Sequence, residues 1–195
     1  MKRLFILPVL FLTLLVGNPA FSADFQKGLD ALKKGDYATV LREWTPLAEQ
    51  GHAHAQAVLG VMYGEGKGVP QDYETAVKWH TLAAEQGLAL AQYNLGFMYE
   101  KGQVVPQDSK TAFKWFKLAA EQGHALAQLH LGWSYARGRG TLEDIPHAHL
   151  WWVIAASQGN EDAREARDVI EKHMNATAIL KGRNLAKEWM AKYQK

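Results

Sequence analysis

Apolar residues recur along this chain at helical spacing, in two kinds of segment that alternate. In the first kind, Ala55, Leu59 and Tyr63 fall at i, i+4 and i+8, which places them on one face of a helix. The same pattern returns after 36 residues and again after another 36. The predicted first helices span about 53–63, 89–99 and 125–135.

The second kind of segment follows each first helix after a glycine-bearing loop. Ala112, Trp115 and Ala119 lie at i, i+3 and i+7 and predict one buried helical face. An aspartate precedes each second helix and suits the N-cap, where a carboxylate accepts free amide hydrogens. Because the tryptophans follow the same period, we expect them to pack in the core rather than to form a ligand-binding box. The aspartates are Asp36, Asp72, Asp108 and Asp144, and the tryptophans are Trp79, Trp115 and Trp151.

Paired helices with a fixed period are typical of a stacked repeat array. We predict an all-α fold, an α/α superhelical solenoid of helical hairpins with capping helices at both ends. Gly60, Gly96 and Gly132 lie inside the first helices, where glycine costs about 1 kcal/mol relative to alanine. We expect each to allow close approach of a neighbouring helix backbone. The predicted segments are 1–23 (leader), 24–51 (N-terminal hairpin), 52–87, 88–123 and 124–159 (three repeats), and 160–195 (capping helices).

The first 23 residues have the pattern of a secretory signal peptide. Lys2 and Arg3 precede an apolar run over 4–16, and small residues at 20 and 22 form a cleavage pattern. The pattern allows cleavage after Ser22 or after Ala23, and the run is shorter than a membrane-spanning helix. We therefore expect an exported protein, periplasmic or secreted, with no membrane span in the remaining chain.

Composition narrows the functional classes. Removing Lys2 and Arg3 from the 22 basic residues leaves 20 against 20 acidic residues, so no net charge favours nucleic-acid binding. Cysteine is absent, which excludes disulfides, a thiolate nucleophile and a cysteine-ligated zinc site. We expect a monomer without cofactors that binds a protein or peptide and does not bind nucleic acid.

The second repeat shows the fixed residues most completely. They are Ala91, Leu95, Gly96, Tyr99, Gly102, Asp108, Ala112, Trp115, Ala119, Ala120, Gln122 and Gly123. This string, which returns at 55–87 and with modest departures at 127–159, resembles the Sel1-like repeat. The first hairpin is more similar to a tetratricopeptide unit. The resemblance implies a right-handed α/α superhelix that scaffolds protein complexes, often in the bacterial envelope, and it assigns no catalytic residue.

Candidate catalytic and metal-binding residues find little support. His147 and His149, at i and i+2 on a helix, point apart, while His52 and His124 share a repeat position in different units, so we interpret the histidines as solvated or capping. Serine-nucleophile, zincin and Walker motifs are absent. Some disulfide-rich exported Sel1-like proteins are linked to β-lactam binding or hydrolysis. A cell-wall-active or β-lactam-binding enzyme is therefore the alternative, although this chain lacks their cysteines and an acylating serine motif.

The candidate site lies on the other face of the first helices, where positions at i, i+3 and i+7 vary between units. In a solenoid such a row faces the concave surface, where partners dock, and aromatic and basic residues are enriched at hot spots. The alternative is that Phe97 and Trp133 pack against the adjoining unit. We predict a non-catalytic scaffold or adaptor of the cell envelope, and an effector exported to host cells fits the same pattern. The predicted partner-binding residues are Asn94, Phe97, Lys101, His130, Trp133 and Arg137.

Overall fold

The computed structural model describes residues 19–102 and 105–193, which form ten α-helices and no β-strand. The helices are α1 (Pro19–Lys34), α2 (Tyr37–Glu49), α3 (Ala53–Glu65), α4 (Tyr73–Glu85), α5 (Ala89–Lys101), α6 (Ser109–Glu121), α7 (Ala125–Arg137), α8 (Ile145–Ser157), α9 (Glu161–Glu171) and α10 (Ala176–Tyr193). Helices α1 to α8 pack as four consecutive hairpins, and the second helix of each hairpin packs on the first helix of the next. This arrangement confirms the all-α repeat solenoid.

Polar caps begin the helices where the sequence predicts them. Asp108 accepts hydrogen bonds from the backbone amides of Lys110 and Thr111 at 2.9 and 3.2 Å. The Thr111 hydroxyl and these amides lower the pKa of Asp108, because they stabilise its charged form. His52 and His124 cap α3 and α7, each through Nδ1, so the capping interpretation of these two histidines is confirmed.

The glycines inside the first helices allow a close approach, but the approaching group is a side chain. A Cβ on Gly96 would lie 2.9 Å from the Phe116 ring, which projects from the second helix of the same hairpin. The nearest group is therefore a ring and not the helix backbone that we expected, although at Gly96 the backbone carbonyl of Ala112 also lies 3.3 Å from the added Cβ. The glycine–ring pairs of the three repeats are Gly60 with His80, Gly96 with Phe116 and Gly132 with Trp152, and Gly28 with Trp44 makes the same contact in the first hairpin.

The buried ring of each second helix follows the predicted tryptophan by one residue. Trp79 and Trp115 are half-buried, whereas Phe116 is 0% exposed. Trp115 still packs against the core of the preceding unit. Trp79 and Trp115 thus lie at the edge of the core, and the prediction that they are fully buried is wrong. Successive helical residues point about 100° apart, so only one of the two rings can face the glycine.

Buried glutamines join consecutive units. Gln128 is 0% exposed, its Nε2 donates to the Ala120 carbonyl at 3.1 Å, and its Oε1 accepts from Gln158 Nε2 at 2.8 Å. The same two bonds occur in each earlier unit, so three rungs form a glutamine ladder along the molecule. The rungs are Gln56 with Gln86, Gln92 with Gln122, and Gln128 with Gln158.

The C-terminal helices do not form a further hairpin. Among the described helices, α10 packs on α8 and makes no extensive contact with α9. Trp189 of α10 covers Trp151 of α8 with ring centroids 5.5 Å apart, which explains why Trp151 is buried while its equivalents are not. The two predicted capping helices are therefore present, and α10 shields the last second helix.

A buried histidine lies between α8, α9 and α10. His149 is fully buried, and its Nε2 lies 2.6 Å from a carboxylate oxygen of Glu171, which Arg183 also contacts at 3.1 Å. Burial raises the pKa of Glu171, but the hydrogen bonds from His149 and Arg183 outweigh it, so the pKa is lowered. The interpretation of His149 as solvated or capping is wrong, because α10 covers it.

The predicted leader falls mostly outside the described residues. Residues 1–18 are not described, and the predicted cleavage positions lie within the helix α1. In the part of the chain that is described, no helix is long and apolar enough to span a membrane.

Candidate functional site

The six predicted residues lie on two neighbouring first helices. Helix α5 carries Asn94, Phe97 and Lys101, and α7 carries the equivalent His130, Trp133 and Arg137. The aromatic rings are half-buried and the two cations are exposed. Phe97 and Trp133 pack on the core, as the alternative expects, and remain partly exposed, while their role in binding a partner stays a prediction.

Four of these residues line one cavity between α5 and α7, which we call the basic cavity. Its volume is about 510 Å³. It has three cationic side chains and one carboxylate, so it attracts anions. The lining residues are Glu100, Lys101, Gln107, His130, Trp133, Arg137 and Arg139.

Aromatic rings hold two of the cations in place. Lys101 Nζ lies 5.3 Å from the centre of the Phe97 ring, and Arg137 Cζ lies 4.4 Å from the centre of the Trp133 ring. Such contacts are worth about 0.5–1 kcal/mol at exposed sites. They position the charges without neutralising them, so both cations stay available to an anionic group.

The one carboxylate of the basic cavity is already engaged. Glu100 Oε2 lies 3.2 Å from His130 Nδ1. The hydrogen bond with His130 lowers the pKa of Glu100, and the charges of Lys101 and Arg139 lower it further. Glu100 is therefore ionised near neutral pH and directed at the imidazole. This leaves Lys101, Arg137 and Arg139 as the exposed charges of the cavity.

Asn94 and Phe97 line a second cavity, between α3, α4 and α5, which we call the His80 cavity. Its volume is about 240 Å³, and Val61, Met98 and His80 also line it. His80 is 3% exposed, and burial lowers its pKa to about 4, so the ring is neutral near pH 7. The interpretation of this histidine as solvated or capping is wrong.

Sequence reasoning missed the parts of both cavities that lie outside the variable row. Gln107 and Arg139 come from the loops after α5 and α7, and His80 comes from a second helix. A signal for His80 was present, because the equivalent positions hold Trp44, Phe116 and Trp152. An imidazole among three larger rings marks that unit as different.

The arrangement suits recognition of side chains. Each cavity combines ring surfaces with a few polar groups, which is typical of sites that orient a ligand. Within the described residues, no group of three or more histidine and carboxylate side chains is placed to hold a metal ion.

Comparison with known proteins agrees with the fold and the repeat. A family profile described as Sel1 repeat matches residues 53–88, 89–124 and 125–160. A search of curated proteins found no match. A Sel1 repeat protein from Oxalobacter formigenes is 38% identical, with a TM-score of 0.61 over 66% of this chain and 96% of that one.

Two further solved structures are similar. A protective antigen of uropathogenic Escherichia coli strains that displays an SLR fold is 27% identical, with a TM-score of 0.59 over 89% of this chain and 46% of that one. Cysteine rich protein B of Helicobacter pylori is 18% identical, with a TM-score of 0.50 over 77% of this chain and 98% of that one. At that identity the last likeness concerns the fold alone.

Proposed function

Because the chain belongs to the Sel1 repeat family, whose members are generally protein-interaction scaffolds, we propose that it binds an acidic segment of a protein partner along its first helices. The segment lies across α5 and α7 on the concave face of the solenoid, as groove-binding peptides do in other helical repeats. The observation that carries the proposal is the excess of cations in the basic cavity.

A carboxylate of the partner completes the charge balance of this cavity. Lys101, Arg137 and Arg139 converge there against Glu100 alone, and Glu100 is directed at His130. A guanidinium can bind a carboxylate through two parallel hydrogen bonds, which fixes orientation as well as charge. The half-buried ring of Trp133 offers apolar surface beside the charges, the combination enriched at binding hot spots.

The proposal places the protein outside the cytoplasm as a monomeric, non-catalytic adaptor. Its support is the leader pattern at 1–23, with Lys2 and Arg3 before an apolar run. Among the described lining residues of the two cavities there is no serine, the nucleophile that acylation by a β-lactam would use.

Two peptide libraries test the charge preference. Both are degenerate fluorescein-labelled decapeptides, and they differ only in a fixed central Glu-Glu or Gln-Gln pair. We expect the protein to raise the anisotropy of the Glu-Glu library at lower protein concentration, and added salt to remove the difference, because screening weakens exposed charge pairs. Equal binding of the two libraries would refute the proposed preference.

Matched variants locate the binding. Arg137→Gln should weaken binding of the Glu-Glu library at least threefold, as expected for losing one charged contact. Arg42→Gln removes the same charge from the exposed surface of α2, far along the chain from the cavity, and should change nothing. Equal losses in the two variants would show that net charge, not the basic cavity, attracts the acidic peptides.

A further inference from the structure

The His80 cavity lies beside the one ring in the array that is smaller than its equivalents. The second helices α2, α6 and α8 place Trp44, Phe116 and Trp152 at this position, and each of the three is almost completely buried. Helix α4 places His80 there, packed over Gly60. An imidazole fills less volume than a phenyl or indole ring, and beside it lies an open space of about 240 Å³.

The imidazole also leaves a polar atom without a partner. Trp44 and Trp152 each donate from Nε1 to a carbonyl of the preceding first helix, at 3.1 and 3.2 Å. His80 Nδ1 has no hydrogen-bond partner among the described residues, although it is completely buried. Such an unpaired atom destabilises the fold. Because Nδ1 is closed to solvent, a group in the cavity would meet the imidazole at its other nitrogen, Nε2.

The chemistry of the cavity selects the ligand. The Nε2 of a neutral imidazole is a donor or an acceptor, depending on the tautomer, and a hydroxyl group can pair with it in either role. Around it, Val61, Phe97 and Met98 provide apolar and aromatic walls. An apolar protein cavity of about 150 Å³ accepts benzene, so this larger one has room for a six-membered ring that bears a hydroxyl.

We propose that the His80 cavity is an anchor site for a phenolic side chain, a tyrosine of the protein partner, whose ring packs on Phe97 and whose hydroxyl hydrogen-bonds to His80. Only the source of the phenol rests on the proposed function. The cavity itself can be tested with a free phenol, so the two proposals fail independently.

The position of the cavity sets the spacing of the partner's residues. Phe97 lines the His80 cavity, and its ring also lies under Lys101 of the basic cavity, so the two sites are neighbours along the array. First helices of consecutive units lie about 10 Å apart, which an extended chain crosses in about three residues. We therefore expect the tyrosine about three positions from the acidic side chain.

A titration of the isotope-labelled protein with p-cresol tests the anchor site. In heteronuclear NMR spectra we expect shifts of the His80 imidazole, the Gly60 amide and the Met98 methyl. The matched probe is 4-fluorotoluene, which has nearly the same shape without the hydroxyl. Its Kd should be about fivefold or more higher, as one lost hydrogen bond predicts.

His80→Phe gives the second control. Because Phe116 packs over Gly96 in the same way, the variant should fold, and it should lose the p-cresol response. No shifts in the wild-type protein, or the same shifts in His80→Phe, would overturn the anchor site. Equal affinity for p-cresol and 4-fluorotoluene would overturn the role of the hydroxyl, and this comparison needs only the wild-type protein.

Discussion

The glutamine ladder offers a sharp test of how the repeats are held together, through the substitution Gln128→Glu. The change replaces one NH₂ group by an oxygen and leaves the shape of the side chain almost unchanged. In the wild type, Gln128 Nε2 donates to the Ala120 carbonyl, and the side chain is 0% exposed. An ionised glutamate would have no hydrogen to donate to that carbonyl and would place a charge in the protein interior, where it is strongly disfavoured.

The cost of this substitution should depend on pH. A buried glutamate titrates at about pH 8–9 in documented cases, against about 4.3 when unfolded. Below about pH 4 the protonated carboxyl can donate to Ala120, so the variant should match the wild type within about 1 kcal/mol. As the pH rises past the unfolded pKa, only the unfolded state loses its proton, and stability falls by about 1.4 kcal/mol per pH unit. By about pH 7 the loss reaches about 3–4 kcal/mol.

Urea unfolding followed by far-UV circular dichroism, at about pH 4 and about pH 7, measures this loss. With a slope of about 2 kcal/mol per molar urea, the midpoint should fall by about 1.5–2 M relative to the wild type at the higher pH. Gln158→Glu is the control, because Gln158 is the exposed end of the same rung and its carboxylate can turn to water. A gap between Gln128→Glu and the wild type that is the same at both pH values, or a matching gap for Gln158→Glu, would refute the reasoning.

Two further predictions concern the contact between ring and glycine, and both are read from urea midpoints. Gly96→Ala should destabilise the protein by about 1–3 kcal/mol, because its Cβ would overlap the Phe116 ring. Gly64→Ala should stabilise it by up to about 1 kcal/mol, since its Cβ would meet Ala76 at an ordinary 3.6 Å. A more stable Gly96→Ala than Gly64→Ala would contradict the packing. Phe116→Ala should lower the free energy of unfolding by about 3–5 kcal/mol and Trp115→Ala by roughly half as much, because Phe116 is fully buried and Trp115 is half-buried. Equal losses would show that the two rings contribute equally to the core.

The helical repeat could be predicted because its signals are local. Spacing of apolar residues gives each helix, and the aspartate caps lie where helices begin, so both are visible within a few residues. The choice between Trp115 and Phe116 as the buried ring is not local. It depends on which ring faces Gly96, on the other helix of the hairpin. The stripe of Leu185 and Trp189 likewise predicts α10 but does not show that it packs on α8.

Only the part of the candidate site that lies on the first helices α5 and α7 was predicted from the sequence. The variable row gave Phe97 and Trp133, because first helices repeat without insertion and equivalent positions can be compared directly. Arg139 lies in a loop, and loop side chains are not placed by periodicity. His80 stands out in the sequence because the equivalent positions hold larger rings. Its burial could not be predicted, because it depends on the contact with Gly60 on the other helix of the hairpin.

In the proposed complex, the two cavities together would set the register of the bound segment. A partner shifted by one repeat toward α3 would bring its acidic group to the His80 cavity, where no described lining residue is a lysine or arginine and where Glu65 is already paired with Lys67. A shift in the opposite direction would place the phenol among the cations of the basic cavity. In both shifted positions the acidic group loses its cationic partners, so the unshifted position is favoured by attraction. The repeats are therefore distinguishable to a partner, although their backbones are alike. The glutamines that join the units are constant, whereas the ring at His80 and the loop residue Arg139 occur in one unit each.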